Sequence, residues 1–451
     1  MSKFADVLCK RLLLSASLST VLSTAAFSQR ANQNDTALSL QQCIDYALKH
    51  QPFVNQAMVN EAIVRTTNSI NLASWYPQVN VQANLTHYNS RPTSYIVDSA
   101  GNVHLQKNGV VNTFIPVLGV SQTIFNPALL YATRSAPLYN REAQQVTDST
   151  KIGIVAGVSK TFYGLLLTLE QINVLREDTA RLAKNVSDTY HQYIAGIVDE
   201  TDYDEAQISL NNSKFQLRQA SENLNPQYAT LKQVMGYPPR AQFNVIYDTI
   251  QMMNDIPFDT TQQMEFEKRI EFKVLQTQKA LQLANINFYR NAWMPTVGAF
   301  FNYDYEFQSN NFGSLFSKAY PYSYLGLTLN LPVFTGFART NSIKRARLQA
   351  DLLDWSEVSL KSQIWTEYTT ALANYKSNLY NFTISKDNVA LAKRTYDIVA
   401  LQYQQGVVPY LNVITAESNL ITSEISYQNA LFQVLSSKID LQKSMGVIDV
   451  H

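Results

Sequence analysis

Residues 297–307, VGAFFNYDYEF, alternate with a period of two. Val297, Ala299, Phe301, Tyr303, Tyr305 and Phe307 fall on one side, Gly298, Phe300, Asn302, Asp304 and Glu306 on the other. Successive side chains of a strand point to opposite faces, so this segment reads as a strand with one apolar and one polar face. The same split runs through 79–86, with Val79, Val81, Ala83 and Leu85 against Asn80, Gln82, Asn84 and Thr86. It returns in 324–333, with Leu325, Leu327, Leu329, Leu331 and Val333 against Tyr324, Gly326, Thr328, Asn330 and Pro332. A weaker fourth strand is expected at 116–125, with Leu118, Val120 and Ile124 on one face. Such alternation over about ten residues, flanked by aromatics, marks strands that cross a membrane in a β-barrel. Asn80, Gln82, Asn84, Asn302, Asp304 and Asn330 are then candidate lumen residues. Trp293, Tyr320, Tyr322, Phe334 and Phe337 are placed for aromatic girdles.

The strands recur because the chain says the same thing twice. WYPQV at 75–79 returns as WMPTV at 293–297, and each strand pair encloses a polar loop, 89–113 and 308–319. Gly196 maps to Gly406 and Gly236 to Gly446, both 210 residues on. A self-match at this scale is a duplicated unit, since solenoid repeats run at roughly 20–50 residues. Four strands cannot close a membrane barrel, whose smallest members have about eight, and an open edge finds no water in lipid. The chain must therefore assemble with copies of itself.

Helices surround the strands. One is expected from Ser39, as N-cap, to just before Pro77. Two very long ones are expected from Pro127 to about Tyr193 and from Ala338 to about Gln404, each roughly 100 Å at 1.5 Å per residue. Trp365, Tyr368, Leu372, Tyr375, Leu379 and Phe382 step along the second as a heptad seam. Gly196 and Gly406 stop them; Gly406 suits the C′ position, Pro409 the first turn of the next helix and Asp199 the N-cap of its counterpart. Returning helices over about 200–235 and 409–445 close two hairpins, rich in Ala, Gln, Asn and Ser as a hollow wall with water on one side would be.

The N-terminus adds a compartment. Lys3, Lys10 and Arg11 precede the apolar run Leu12–Leu22 and a small-x-small site at Ala26-Phe27-Ser28, the layout of a secretory signal peptide. No later segment has 18 consecutive apolar residues. Beyond 28 the chain keeps one cysteine, Cys43, and carries 33 basic against 34 acidic residues, so neither an internal disulfide nor nucleic-acid binding is expected. The five histidines stand at no metal-ligand spacing, and there is no G-x-S-x-G elbow, P-loop or dinucleotide fingerprint. The reading is of no enzyme and no cofactor.

The duplicated unit, the WYPQV and WMPTV strand entries, the Y-x-x-G turns (Tyr193–Gly196 and Tyr403–Gly406) and VITAESNL at 413–420 resemble the TolC-like outer-membrane efflux proteins, over roughly 38–448. The resemblance implies a mixed α and β membrane protein located in the outer membrane of a Gram-negative cell. Three chains would complete a 12-stranded transmembrane β-barrel, continued by long antiparallel helical hairpins as a periplasmic α-barrel. It implies an exit duct for efflux or type I secretion, coupled through a periplasmic adaptor to an inner-membrane transporter. The expected organisation is a leader at 1–28, a first repeat at 29–240, a connecting segment at 241–263 and a second repeat at 264–451. The turns supply candidates for gate and adaptor docking: Tyr193, Gly196, Asp199, Asp202, Tyr403, Gly406, Asn412 and Thr415. The family's aspartates after the second turn are replaced here by Asn412 and Thr415. The first turn is acidic instead, at Asp199, Glu200, Asp202, Asp204 and Glu205, open both to a capping role and to a pore-facing one. A periplasmic coiled-coil scaffold or adaptor is the alternative, and the alternating strands speak against it.

Overall fold

The computed structural model describes residues 37–450 apart from 98, 100, 247, 248 and 262; the expected leader at 1–28 lies outside the described residues. Two units are distinct. In the smaller, residues up to 39 with Arg240–Ile246, strand β1 (Ala37–Leu38) pairs in parallel with β6 (Asn244–Val245). The larger, Leu40–Pro239 with Tyr247–His451, runs twice through one plan. Its first pass is α1 (Leu40–His50), α2 (Pro52–Leu72), β2 (Gln78–His87), β3 (Thr93–Val97), β4 (Val103–Lys107), β5 (Asn112–Phe125), α3 (Pro127–Ile194) and α4 (Glu200–Met235). After the short α5 (Thr249–Asn254) come α6 (Ile270–Asn291), β7 (Thr296–Ser309), β8 (Ala319–Asn330), α7 (Ala338–Gln404) and α8 (Tyr410–Met445).

The opening helix is broken where one was expected. Pro52 lacks an N–H and takes the first position of α2. Gln51 before it is extended and accepts from the Phe53 amide at 3.2 Å, while its Nε2 donates to the Gln233 and Val234 carbonyls at 3.1 and 2.8 Å. The break is thus bolted to the end of α4.

The four long strands form one antiparallel sheet, ordered β2-β5-β7-β8, with β2 and β8 at its edges. Asn80 stands opposite Gly119, Gly119 opposite Asn302, and Asn302 opposite Tyr324, so these share a face. Period-two alternation puts Gln82, Asn84, Asp304 and Asn330 on that face too. Val81, Leu118, Tyr303, Phe301, Leu327 and Leu329 lie on the other. Several local expectations fail. A bulge at Thr123–Phe125 makes Phe125, not Ile124, follow Leu118 and Val120 on the apolar face. Strand β8 ends at Asn330, leaving out Leu331 and Val333, because Pro332 cannot donate to the ladder. Tyr320 and Tyr322 pair with Glu306 and Asp304 and so stand on the polar face, not in an outward girdle. The loop at 89–113 contains a hairpin, β3 with β4, and the loop at 308–319 a 3-10 turn (Phe312–Ser317) whose Phe316 packs on Phe114 and Phe307 at 5.4 and 5.5 Å.

The helices α3 and α7 run 68 and 67 residues and fold back into α4 and α8, each 36 residues long. Pro137 and Pro226 sit inside α3 and α4 without ending them. Buried side chains concentrate on α3 (Val158, Phe162, Leu165, Leu166) and α8 (Leu431, Val434, Leu435, Leu441). An 18-residue window of α3 is long and apolar enough to cross a membrane by length and composition, but half of it is buried within the chain, as in a core helix. The heptad seam on α7 holds except at its start: Tyr375 is buried and Tyr368, Leu372, Leu379 and Phe382 are half-buried, whereas Trp365 is 56% exposed and Ile364 is buried in its place. A helix with 3.6 residues per turn drifts against a strict seven-residue repeat, and α7 meets α6 and α8 in turn.

Candidate functional site

Both long helices end in the same device. Ala195 and Gln405 cap them, and Gly196 (φ +68°) and Gly406 (φ +70°) follow in the left-handed region. The Gly196 amide donates to the Tyr193 carbonyl and the Ile197 amide to that of Gln192; Gly406 and Val407 repeat this onto Tyr403 and Gln402, all at 2.9 Å. These are Schellman motifs, which need a residue that tolerates positive φ. No atom lies within 4 Å of where a Cβ would stand on either glycine, so both turns face open space.

The structure brings the two turns together. Tyr403 Oη donates to Gln192 Oε1 at 2.6 Å, from one hairpin to the other. Behind it Ala206, Tyr410 and Val413 are buried, with Val186, Tyr396 and Val399 packed around them. Tyr193 stacks on Tyr203, centroids 6.3 Å apart. Asp199 occupies the N-cap of α4, yet its side chain makes no capping bond. Asp202 is half-buried, and burial, with the charges of Asp202 and Asp188, pushes the Tyr403 phenol up. Asn412 and Thr415 are exposed on α8, where Pro409 holds the N-cap position rather than the first turn expected for it.

Farther along the hairpins lies a cluster that sequence spacing did not reveal. Arg181 on α3 donates to Glu417 on α8 and to Asp178, both at 2.9 Å. Ser213 on α4 donates to Asp178 at 2.7 Å, Asn185 to Glu417 at 3.2 Å, and the guanidinium lies 5.3 Å over the Tyr396 ring of α7. One charged cluster thus joins all four helices. Asp178 and Glu417 are almost wholly buried, and burial pushes both carboxyls up despite the pull of Arg181. Asp178 and Arg181 stand three residues apart on one helix, whereas Glu417 is 236 positions from Arg181.

The second group of candidates is the polar sheet face. Asn302 donates to Tyr324 Oη at 3.0 Å, and the side chains of Asn80 and Asn302 converge over Gly119, where a Cβ would have to push them aside. Asn80, Gln82, Asn84 and Asn330 are exposed, whereas Asp304 is buried with Oδ2 unpartnered. The apolar face is bare in the single chain: Val81, Leu327 and Leu329 are 74, 74 and 68% exposed. No cluster of three or more His, Cys, Asp or Glu able to hold a metal occurs among the described residues.

The profile of the outer membrane efflux protein family matches residues 43–237 and 264–447. The chain belongs to that family. Like the family, it is an outer-membrane protein. Outer membrane protein TolC of Vibrio cholerae is 19% identical over 348 residues, 73% of this chain and 76% of its own. Among solved structures CusC, described as forming a transmembrane channel, superposes with a TM-score of 0.73 at 15% identity, covering 90% of this chain and 91% of its own. The outer membrane protein VceC of Vibrio cholerae gives 0.70 at 14%, covering 90% and 96%. At such identity the structural likeness establishes the fold, a mixed helical and β outer-membrane architecture, and the family match carries the efflux assignment.

Proposed function

We propose that three copies of this efflux protein close a 12-stranded barrel through the outer membrane. The two repeats, 29–240 and 264–451, joined by 241–263, then supply a passive exit duct whose helical hairpins cross the periplasm. It is a conduit rather than an enzyme, driven by an inner-membrane transporter through a periplasmic adaptor. The observation that carries this is the sheet: it has two free edges and one largely apolar face on which Val81, Leu325, Leu327 and Leu329 stand exposed, and both are untenable unless neighbouring strands and lipid cover them. Asn80, Gln82, Asn84, Asn302, Asp304 and Asn330 then line the lumen.

The turns around Gly196 and Gly406, with Tyr193 and Tyr403 behind them, are the adaptor-docking tips, since they present backbone in open space. Asp199 and Asp202 supply the charge at the mouth that Asn412 and Thr415 lack. Asp202→Asn is expected to lower cation preference; unchanged preference would leave the gate to packing between hairpins. The topology is tested by arginine on opposite faces of one strand. Leu327→Arg is expected to cost roughly 2–4 kcal/mol of folding stability in bilayers and Thr328→Arg little. Equal tolerance at the two positions sinks the barrel.

A further inference from the structure

The place where strands hand over to helices holds a pocket of about 350 Å³ lined mainly by Phe125, Leu130, Tyr131, Phe288 and Met294, with Arg134, Asn287 and Asn291 as its polar groups. Phe125 is the last residue of β5 and Met294 stands two before β7, so on the topology proposed above the pocket lies at the inner boundary of the membrane. Its wall is aromatic: Tyr131 and Phe288 pack with centroids 5.3 Å apart, and Tyr131 turns its hydroxyl toward Tyr139 at 3.4 Å. Arg134 is exposed and, among the described residues, makes no hydrogen bond or ion pair. A guanidinium left unpaired beside an apolar slot is complementary to an anionic head on an apolar tail.

The surroundings carry the same charge. The segments that adjoin the strands, 65–77, 126–137, 284–295 and 331–347, contain seven basic residues, Arg134, Arg290 and Arg339 among them, and no aspartate or glutamate; of the seven, Arg65 pairs with Glu61 one turn beyond. Farther along the same helices acids and bases alternate and pair, as in Lys279 with Glu357 and Arg181 with Glu417. Basic residues gathered at a membrane boundary attract lipid phosphates.

We propose that this pocket is a phospholipid-binding site: one acyl chain fills the slot between α3 and α6, and the phosphate sits on Arg134. The inference rests on the barrel reading for the membrane level, and the pocket itself is tested without it. Native mass spectrometry of the detergent-purified assembly, titrated with phosphatidylglycerol, should show one retained lipid per chain. Arg134→Gln, an exposed and conservative change, should weaken retention roughly tenfold. Leu130→Trp, which fills the slot, should abolish it while the assembly stays intact by mass; if that variant does not assemble, Arg134→Gln decides alone. Diacylglycerol, which lacks the phosphate, should be retained no better by wild type than phosphatidylglycerol by Arg134→Gln. Saturation of the site by inorganic phosphate alone, equal retention of diacylglycerol, or an assembled wild type that holds no lipid would each overturn the proposal. One lipid per chain on a protein that never inserts into bilayers would instead overturn the barrel and leave the pocket standing.

Discussion

The two ends of each helical hairpin are built from one motif and set in opposite surroundings. At the tips Gly196 and Gly406 have φ near +70° and nothing around them. At the roots Gly236 and Gly446 have the same φ, and a Cβ on either would meet backbone at 2.8 and 2.7 Å, at Gln51 and Lys268 respectively. The roots are clamped further by Gln51 and Arg269, which stand 218 positions apart as Trp75 and Trp293 do. Gln51 reaches the last carbonyls of α4; Arg269 donates to the Ser444 carbonyl of α8 at 3.0 Å. Identical local conformations therefore serve two ends: one fixed against its neighbours, the other presented outward.

Alanine at the four glycines would break or sharpen that contrast most. Gly236→Ala and Gly446→Ala should each cost roughly 3–5 kcal/mol, from the left-handed strain plus forced backbone displacement. Gly196→Ala and Gly406→Ala should cost only roughly 1–2 kcal/mol, the strain alone. Denaturant unfolding of the detergent-solubilised protein reads this directly, and equal losses at tip and root would remove the distinction.

The clamps come next. Arg269→Ala strips partners from Glu367, Glu271 and the Ser444 carbonyl, and should cost roughly 2–3 kcal/mol, since both carboxylates remain partly in water. Gln51→Ala removes a neutral amide and a cap and should cost about 1–2 kcal/mol. The same unfolding experiment ranks them; a reversed order would mean the charged clamp is not what holds the second root.

A smaller contrast is in pH. Burial holds Asp178 and Glu417 high, so their stabilisation is full below the ordinary carboxylate range and is lost as pH rises through their raised values. Glu357 behaves oppositely: Lys279 and Lys361 hold it at about 2, so its contribution is full above the ordinary glutamate value and lost as pH falls toward 2. The advantage of wild type over Glu417→Gln should therefore shrink from acid to neutral pH, and that over Glu357→Gln should grow. Parallel curves would refute the assignment of burial as the dominant effect near the tips.

Much of this was legible in the chain. Helix ends at Gly196, Gly406, Gly236 and Gly446 could be read because glycine is the residue that a left-handed cap selects, and the strand faces because side chains alternate with period two wherever no bulge intervenes, as one does at Thr123–Phe125. The break at Gln51–Pro52 was missed although Pro52 was in plain sight, since its meaning depends on carbonyls 182 and 183 positions away. The hairpin at β3 and β4 was hidden in a polar stretch, and Tyr320 and Tyr322 were misplaced because aromatic character alone does not say which face a strand residue takes. The Arg181–Glu417 pair had no local trace; long-range ion pairs leave none in a single sequence.

The central claim is that this chain forms a conduit, and planar-bilayer recording on the purified protein, with its mass measured in parallel, tests it most directly. The account predicts that the conducting species has the mass of three chains, and that Leu327→Arg abolishes its insertion while Thr328→Arg preserves it. A monomer in detergent that raises no current in a bilayer would contradict it.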